Sequence, residues 1–405
     1  MEGLTELLPE RAGIGIMSLY LLHLFYEEEL GLNQLAVVPT GKSPARRTLV
    51  LASLAHALHD GFTDMIYVLL PVWHAEFALD YVALAVVRAL YVGVLAALQV
   101  PSAHLARHVN ARTILGLGTL LSAAGYALAG LSGGLVGLCA SLALAGAGGS
   151  TQHPLASAAV SRAYGGRARG PLGTYNFAGD LGKATLPPAI SLLLTVMGWR
   201  SALWVAAGFG TLVAVLIRWL MPPVPAPPVV LETEIAPDHE AAGKGGFGLL
   251  FAIGMLDTAA RMGFLLFLPF LLKAKGAPMT TVGLALSLVF IGGAFGKAAC
   301  GWLGARLGLL ATVVTTEVGT AAAILAVLAL PLVPTLVVLP FLGVMLNGTS
   351  SVLYGTVPEV VTPKRIERAF AHFYTGILDQ ARWHPFFTDG LVIPRGRSGP
   401  PLRQP

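Results

Sequence analysis

His56, Asp60 and Asp64 recur at every fourth residue of one stretch, with His59, Thr63 and Tyr67 interleaved. On a helix of 3.6 residues per turn they share one face. Two carboxylates and two imidazoles in apolar surroundings can take up a proton and pass it on. His56, Asp60 and Asp64 are therefore candidate proton-coupling groups, while His59, Tyr67 and Arg88 are candidate substrate contacts. The plainer reading is a stripe that wets a cavity or pairs with Arg88. Further along lie Asn176, Asp180 and Lys183, then Asp257 and Arg261. Their i, i+3 and i, i+4 spacings allow ion pairs within one helix. Such pairs either hold a helix in its bundle or bind substrate. His153 follows the glycine run Gly146–Gly149 and precedes Pro154, a place where helices approach closely and carbonyls are freed. Lys297 and Asn347 are weaker candidates, and Glu317 is a candidate second proton carrier with no evident partner. Each charge matters because an ionised side chain at mid-bilayer costs about 2.5–3.5 kcal/mol on insertion scales.

The surrounding sequence is what makes these charges costly. Of 405 residues 55% are hydrophobic and 12% charged, and mean hydropathy is +0.73. Soluble domains carry about twice that charge. The formal net charge is only +5, and its groups fall in short clusters between long apolar runs. This excludes a soluble enzyme, a coiled coil, a disordered chain and a nucleic-acid binder. It indicates an all-α polytopic membrane protein. Cys139 and Cys300 sit in separate apolar runs and read as packing residues, with no metal-binding spacing.

The elements that must position the polar groups come at regular intervals. Spans are expected at 48–73, 80–101, 112–131, 134–162, 171–197 and 199–221, then at 247–272, 279–301, 309–330 and 333–361. Residues 1–47 read as a non-spanning extension: Ile14–Tyr26 is too short to span and is flanked by acidic rather than basic residues. A start codon placed too far upstream would also give this pattern. Residues 222–246 form a Pro-rich linker. Residues 48–221 and 247–376 form two bundles, the second incomplete, and 377–405 form a basic tail.

Arg46, Arg47, Arg112, Arg162, Arg167, Arg169, Arg306, Lys364 and Arg365 fall in alternate loops, which places the N-terminus in the cytoplasm. Arg200, Lys273 and Lys275 break the rule. The halves also repeat. Asp257–Pro269 (DTAARMGFLLFLP) echoes the stretch that starts at Asp60 and ends at Pro71, at an offset of 257 − 60 = 197. Ala103–Asn110 (AHLARHVN) matches Gly301–Gly308 (GWLGARLG) at 198, and Arg169–Tyr175 matches Arg368–Tyr374 at 199. A parallel repeat joined by a cytoplasmic linker is a transporter architecture.

These features resemble the major facilitator superfamily over residues 48–376. Within it, Ser53–Pro71 (SLAHALHDGFTDMIYVLLP) and Gly148–Arg162 (GGSTQHPLASAAVSR) look most like the fosmidomycin-resistance type of efflux permease. The resemblance implies a major-facilitator-like two-bundle fold with about ten full helices of an expected twelve. It also implies gating loops at Arg107, Asn110, Gly301, Arg306 and Gly308. Where the superfamily's 2–3 loop reads Gly-x-Leu-Ala-Asp-Arg-x-Gly-Arg, this chain has Ala103, Arg107 and Asn110 in place of Gly, Asp and Gly. Asn110 is expected to take the left-handed turn that the glycine would take. The second copy keeps Gly301 and Gly308 but has Ala305 at the acidic position. In span 5 one Gly and the Pro of a Gly-x-x-x-Gly-Pro motif remain, as Gly182 and Pro187. Asp180 stands where these permeases have an uncharged residue.

The expected function is a secondary transporter of the plasma (inner) membrane, a proton-coupled antiporter that exports a small organic compound or drug and so confers drug resistance. Its partners are the small-molecule substrate, protons and the bilayer. No nucleic acid, cofactor or metal is expected, and the chain is expected to be a monomer. No Gly-x4-Gly-Lys-Ser/Thr loop supports an ATP-driven pump, and no nucleophile accompanies the carboxylates to make an enzyme. The alternative is a non-transporting remnant or scaffold. The charged and Pro-rich stretch after Gly376 cannot span, as a truncated or frame-shifted gene would leave it.

Overall fold

The structure is a computed structural model that describes residues 44–106, 109–223 and 246–360. The chain divides into Met1–Ser43 and Pro44–Pro405, and the description concerns the second unit. The expectations for the N-terminal extension, most of the linker, Arg107, the repeat copy at Arg368–Tyr374 and the tail all lie outside the described residues.

Eleven α-helices follow in order: α1 (Pro44–Phe77), α2 (Tyr81–Leu105), α3 (Ala111–Ala129), α4 (Leu135–Gly149), α5 (Gln152–Tyr164), α6 (Arg169–Val196), α7 (Trp199–Leu220), α8 (Gly246–Ala274), α9 (Met279–Leu307), α10 (Leu309–Ala329) and α11 (Leu332–Val360). Helices α4 and α5 together correspond to one expected span, so the described helices account for the ten expected spans. The fold class is that expected from composition and spacing. Seven spans are long and apolar enough to cross a bilayer by length and composition alone. The other three, α1, α3 and α6, include Asp60, Asp64, Arg112, Asp180 and Lys183, which lower their hydropathy.

The largest departures from expectation are in the first, fourth and eighth spans, the eighth because α9 runs on from 301 to Leu307. The first span starts at Pro44 and ends at Phe77, because Pro44 suits a helix's first turn and apolar positions continue beyond Pro71. The fourth is broken at Ser150–Thr151, where Pro154 has no N–H to donate back. Side chains satisfy carbonyls at the break: Ser150 Oγ donates to Ala147 O (2.7 Å) and Thr151 Oγ1 to Gly148 O (3.0 Å).

The repeat is visible in the packing. In the first half α4 packs on α2 and α3, and α5 on α1. In the second half α11 packs on α9, α10 and α8, the counterparts at the repeat offset. Across the halves α6 lies along α9, where Ser287 Oγ donates to Ala184 O (2.6 Å) and Ser191 Oγ to Met279 O. Small residues set the distances. A Cβ on Gly148 would meet the backbone of α3 at Gly118 and Ser122, and one on Gly182 would fall on the Ala57 carbonyl of α1. The second contact brings α6 onto α1 and sets the depth of Lys183.

Two of the basic residues that break the loop-charge rule are engaged at the helix ends. Arg200 pairs with Glu76 (2.7 Å) and donates to Ser132 O (3.3 Å), and Lys275 caps α10 through the carbonyls of Leu328 and Leu330. A cation bound to a carboxylate or to a helix C-terminus adds little free charge to its loop.

Candidate transport site

Asp60 stands at the middle of α1 and gathers partners from three elements. His56, one turn earlier, places Nε2 3.4 Å from Oδ2. His153 of α5 places Nε2 3.6 Å from Oδ1, and Lys183 of α6 places Nζ 3.2 Å from Oδ2. The break after α4 starts α5 afresh and so positions His153. The His56 ring stacks on Tyr175 with centroids 4.2 Å apart. Its Nδ1 lies 2.8 Å from the Tyr175 carbonyl oxygen. A carbonyl only accepts, so Nδ1 carries a hydrogen and donates. Nε2 then turns towards the Asp60 carboxylate. Between a neutral imidazole lone pair and a carboxylate the contact is repulsive, and a proton on either group makes it a hydrogen bond. The geometry thus defines a seat for a proton.

Asp64 and Arg88 form a separate, enclosed pair. The guanidinium is 3.5 Å from Asp64 and donates to Tyr67 Oη (3.1 Å), lying over the Tyr67 ring at 4.5 Å. Both charges are buried. Breaking such a pair strands a buried charge and costs about 3–5 kcal/mol, so Arg88 reads as the counter-ion that fixes Asp64 and Tyr67. His59 is also buried, with Nε2 3.0 Å from Thr119 Oγ1 on α3.

The ion pairs expected within α6 form between helices. Lys183 turns to Asp60, and Asp180 pairs with Lys297 of α9 (2.5 Å), so the two neighbours on α6 serve two other helices. Lys297 thereby joins the site from the second half. The sequence marked it only as a charge inside a span, because its partner is 117 residues away. On α8, Arg261 donates to Thr258 (3.3 Å) on its own helix and lies within electrostatic reach of Asp257 and Asp64. Glu317 has a partner after all. It faces Asp257 across α8 and α10, and both line a cavity of about 400 Å³ with Ile253, Leu310 and Val313. That pair lies apart from the Asp60 group. Asn176 is exposed, next to Tyr175. Asn347 donates to Gly343 O (3.1 Å) and packs against Gly293 of α9.

Among the gating positions, Gly308 has φ +80° and caps α10, as a glycine allows. Asn110 does not take the left-handed turn. Its φ is −55°, and its side chain accepts from Arg112 N (3.0 Å) as the N-cap of α3. An Asn side chain that can cap a helix removes the need for a positive φ. Arg112 in turn donates to Met221 O at the end of α7 (3.1 Å). Arg306 is exposed over the Trp302 ring at 4.2 Å, and Gly301 lies within α9.

One feature escaped sequence reading. At the end bearing the α1–α2 turn, the His74 ring stacks on Tyr81 (5.5 Å) and meets Phe270 edge-on (5.5 Å). Tyr81 also meets Phe267 and Phe270 of α8, at 5.6 and 5.2 Å. The cluster closes the α1–α2 corner onto α8. Aromatics scattered through apolar spans give no signal of such a cluster until the halves are docked. The other polar groups are more open: side-chain exposure is 45% at His153, 32% at Lys183 and 42% at Lys297.

Comparison with known proteins agrees with this architecture. The family profile described as Major Facilitator Superfamily matches residues 52–246. No curated protein matches the chain. A solved bacterial homolog of the human lysosomal transporter Spinster, inward-facing and occupied, aligns with TM-score 0.68 and 18% identity over 86% of this chain and 82% of that one. A POT family transporter in complex with 5-aminolevulinic acid gives TM-score 0.66 and 12% identity over 82% and 88%. The nucleoside transporter NupG gives 0.66 and 13% over 83% and 87%. The fold of this chain is the fold of those transporters, a multi-pass helical membrane fold.

Proposed function

We propose that this chain is a secondary active transporter of the plasma membrane that exports a small organic compound in exchange for protons. The observation that carries the reading is Asp60, a carboxylate at mid-span whose surroundings combine a proton seat with His56 and two further partners, His153 and the ammonium of Lys183. An apolar bundle has no structural need for such a group, and intramembrane ionisable residues mark ion and substrate pathways. The transporter neighbours and the family match over the first bundle support the same reading. Likeness to the fosmidomycin-resistance type rests on Ser53–Pro71 and Gly148–Arg162.

In this mechanism the proton enters at His56 and Asp60 and weakens the Asp60–Lys183 attraction. The released Lys183 displaces substrate, which binds the deprotonated form against His153, Asn176, Asp180 and Lys297, so proton and substrate alternate as exchange requires. Asp64, held by Arg88, keeps α1 and α2 in register rather than carrying the proton. The two bundles, 48–221 and 247–376, rock about the α6–α9 contact, with the N-terminus and the 222–246 linker in the cytoplasm. The His74–Tyr81–Phe270 cluster is the extracellular gate in its closed form. The chain works as a monomer.

The reading is tested by efflux from cells that express the chain, using a panel of small organic compounds with and without a protonophore. At least one compound is expected to be retained less by expressing cells, and the protonophore is expected to abolish the difference. No difference for any compound contradicts the reading.

Two substitutions probe the parts. Asp180→Lys or Lys297→Asp alone sets like charges together between the halves and is expected to lower efflux by about tenfold or more, as like-charge juxtaposition costs several kcal/mol. The double exchange restores the pair and most of the activity. Tyr81→Cys with Phe270→Cys, bridged by a short thiol-specific cross-linker, is expected to stop transport. Cleaving the bridge restores it, and undiminished efflux by the bridged protein would show that the cluster is no gate.

A further inference from the structure

We infer that His56, Asp60 and His153 form a binding site for one divalent transition-metal ion of the zinc class. One ligand atom from each residue lies within 4.8 Å of the others. The carboxylate presents Oδ2 to His56 at 3.4 Å and Oδ1 to His153 at 3.6 Å. Ions of this class bind imidazole nitrogen and carboxylate oxygen at about 2.0–2.2 Å, which puts two ligand atoms in a tetrahedral site about 3.3–3.5 Å apart. Each imidazole nitrogen already stands at about that separation from one carboxylate oxygen, and the remaining edge, within 4.8 Å, shortens as the ion binds.

The surroundings are those of a ligand set. His56 Nδ1 donates to the Tyr175 carbonyl, and its ring stacks on Tyr175. Outer hydrogen bonds of this kind fix a ligating imidazole's tautomer and aim. His153, 45% exposed, leaves an approach for the ion and a position for water or an anion. Two imidazoles and one carboxylate select zinc, nickel or cobalt over magnesium or calcium, which take mostly oxygen.

Lys183 is the competitor. Its ammonium lies 3.2 Å from the same carboxylate, and Asp180 lies within its electrostatic reach as a second partner. The ion binds by displacing that ammonium, so the two cations exclude each other. Removing the lysine charge should therefore tighten metal binding. The residues come from α1 and α5, so their grouping was hidden in the sequence by a gap of about 90 positions. The proposal does not depend on transport, since binding is read on the purified protein.

The test uses the full-length protein in detergent, freed of any affinity tag, with Co²⁺ as the probe. One Co²⁺ per chain is expected, with the intense visible spectrum of a low-coordinate site and displacement by Zn²⁺. His56→Ala and His153→Ala should weaken binding by more than about tenfold, the lower range seen even for outer-shell changes. Lys183→Met should tighten it. His153→Cys guards against misfolding, because it should keep binding and add a thiolate-to-cobalt charge-transfer band. Binding with an unchanged spectrum in His56→Ala and His153→Ala would overturn the site. So would Co²⁺ bound to His153→Cys without the thiolate band, or no binding by folded wild-type protein.

Discussion

Asp60→Asn abolishes proton-coupled accumulation of substrate while the protein still reaches the membrane. Asparagine keeps the shape of the side chain but removes the carboxylate that His56, His153 and Lys183 face. One proton moving down one pH unit supplies about 1.4 kcal/mol, a tenfold accumulation. Without the proton site that ratio falls to one, although substrate exchange across the membrane continues. The substitution also leaves Lys183 without its counter-charge, and a partly buried, unpaired charge destabilises. Asp60→Asn combined with Lys183→Met separates the two effects: the pair should regain thermal stability and still fail to couple. Wild-type accumulation in either variant would remove Asp60 from the mechanism.

The second large effect is on folding. Gly182→Val places a branched side chain where a Cβ already meets the Ala57 carbonyl. Backbone cannot yield as a flexible side chain does, so α6 must move off α1. Overpacking of this kind costs about 1–3 kcal/mol or more, and the move also draws Lys183 away from Asp60. Thermal unfolding in detergent should show a clear fall in midpoint and in yield of folded protein. Gly93→Val is the control, since nothing lies near a Cβ there, and a surface change is expected to stay within about 0.5 kcal/mol. Equal midpoints for the two variants would show that the α1–α6 contact is loose.

Much of this was legible in the sequence because membrane helices announce themselves by length and apolarity. The spans from α6 to α11 fall within a few residues of expectation, except that α9 runs on to Leu307, and Asp60 lies at the middle of α1 as its position in the stripe required. What the sequence could not supply was partnership between helices. Asp180 and Lys183 looked like one pair because they are three residues apart, yet their side chains leave the helix towards α9 and α1. Glu317 looked solitary because Asp257 is 60 residues earlier. Asn110 showed the opposite limit: its type allowed two local roles, a left-handed turn or an N-cap, and only the backbone angle decides. His153 was found through the glycine run and Pro154, whose local consequence, a broken helix, could be reasoned without knowing the neighbours.

The central claim is that proton binding at Asp60 drives transport. Its most direct test is the purified wild-type chain in proteoliposomes that enclose a pH-sensitive dye, with an imposed pH gradient and a compound taken from the efflux panel. Adding substrate should move protons across the membrane at a rate that saturates with substrate. The proton movement should be in the direction opposite to substrate and should vanish in Asp60→Asn. Substrate flux with no proton movement in the wild-type protein would contradict the account.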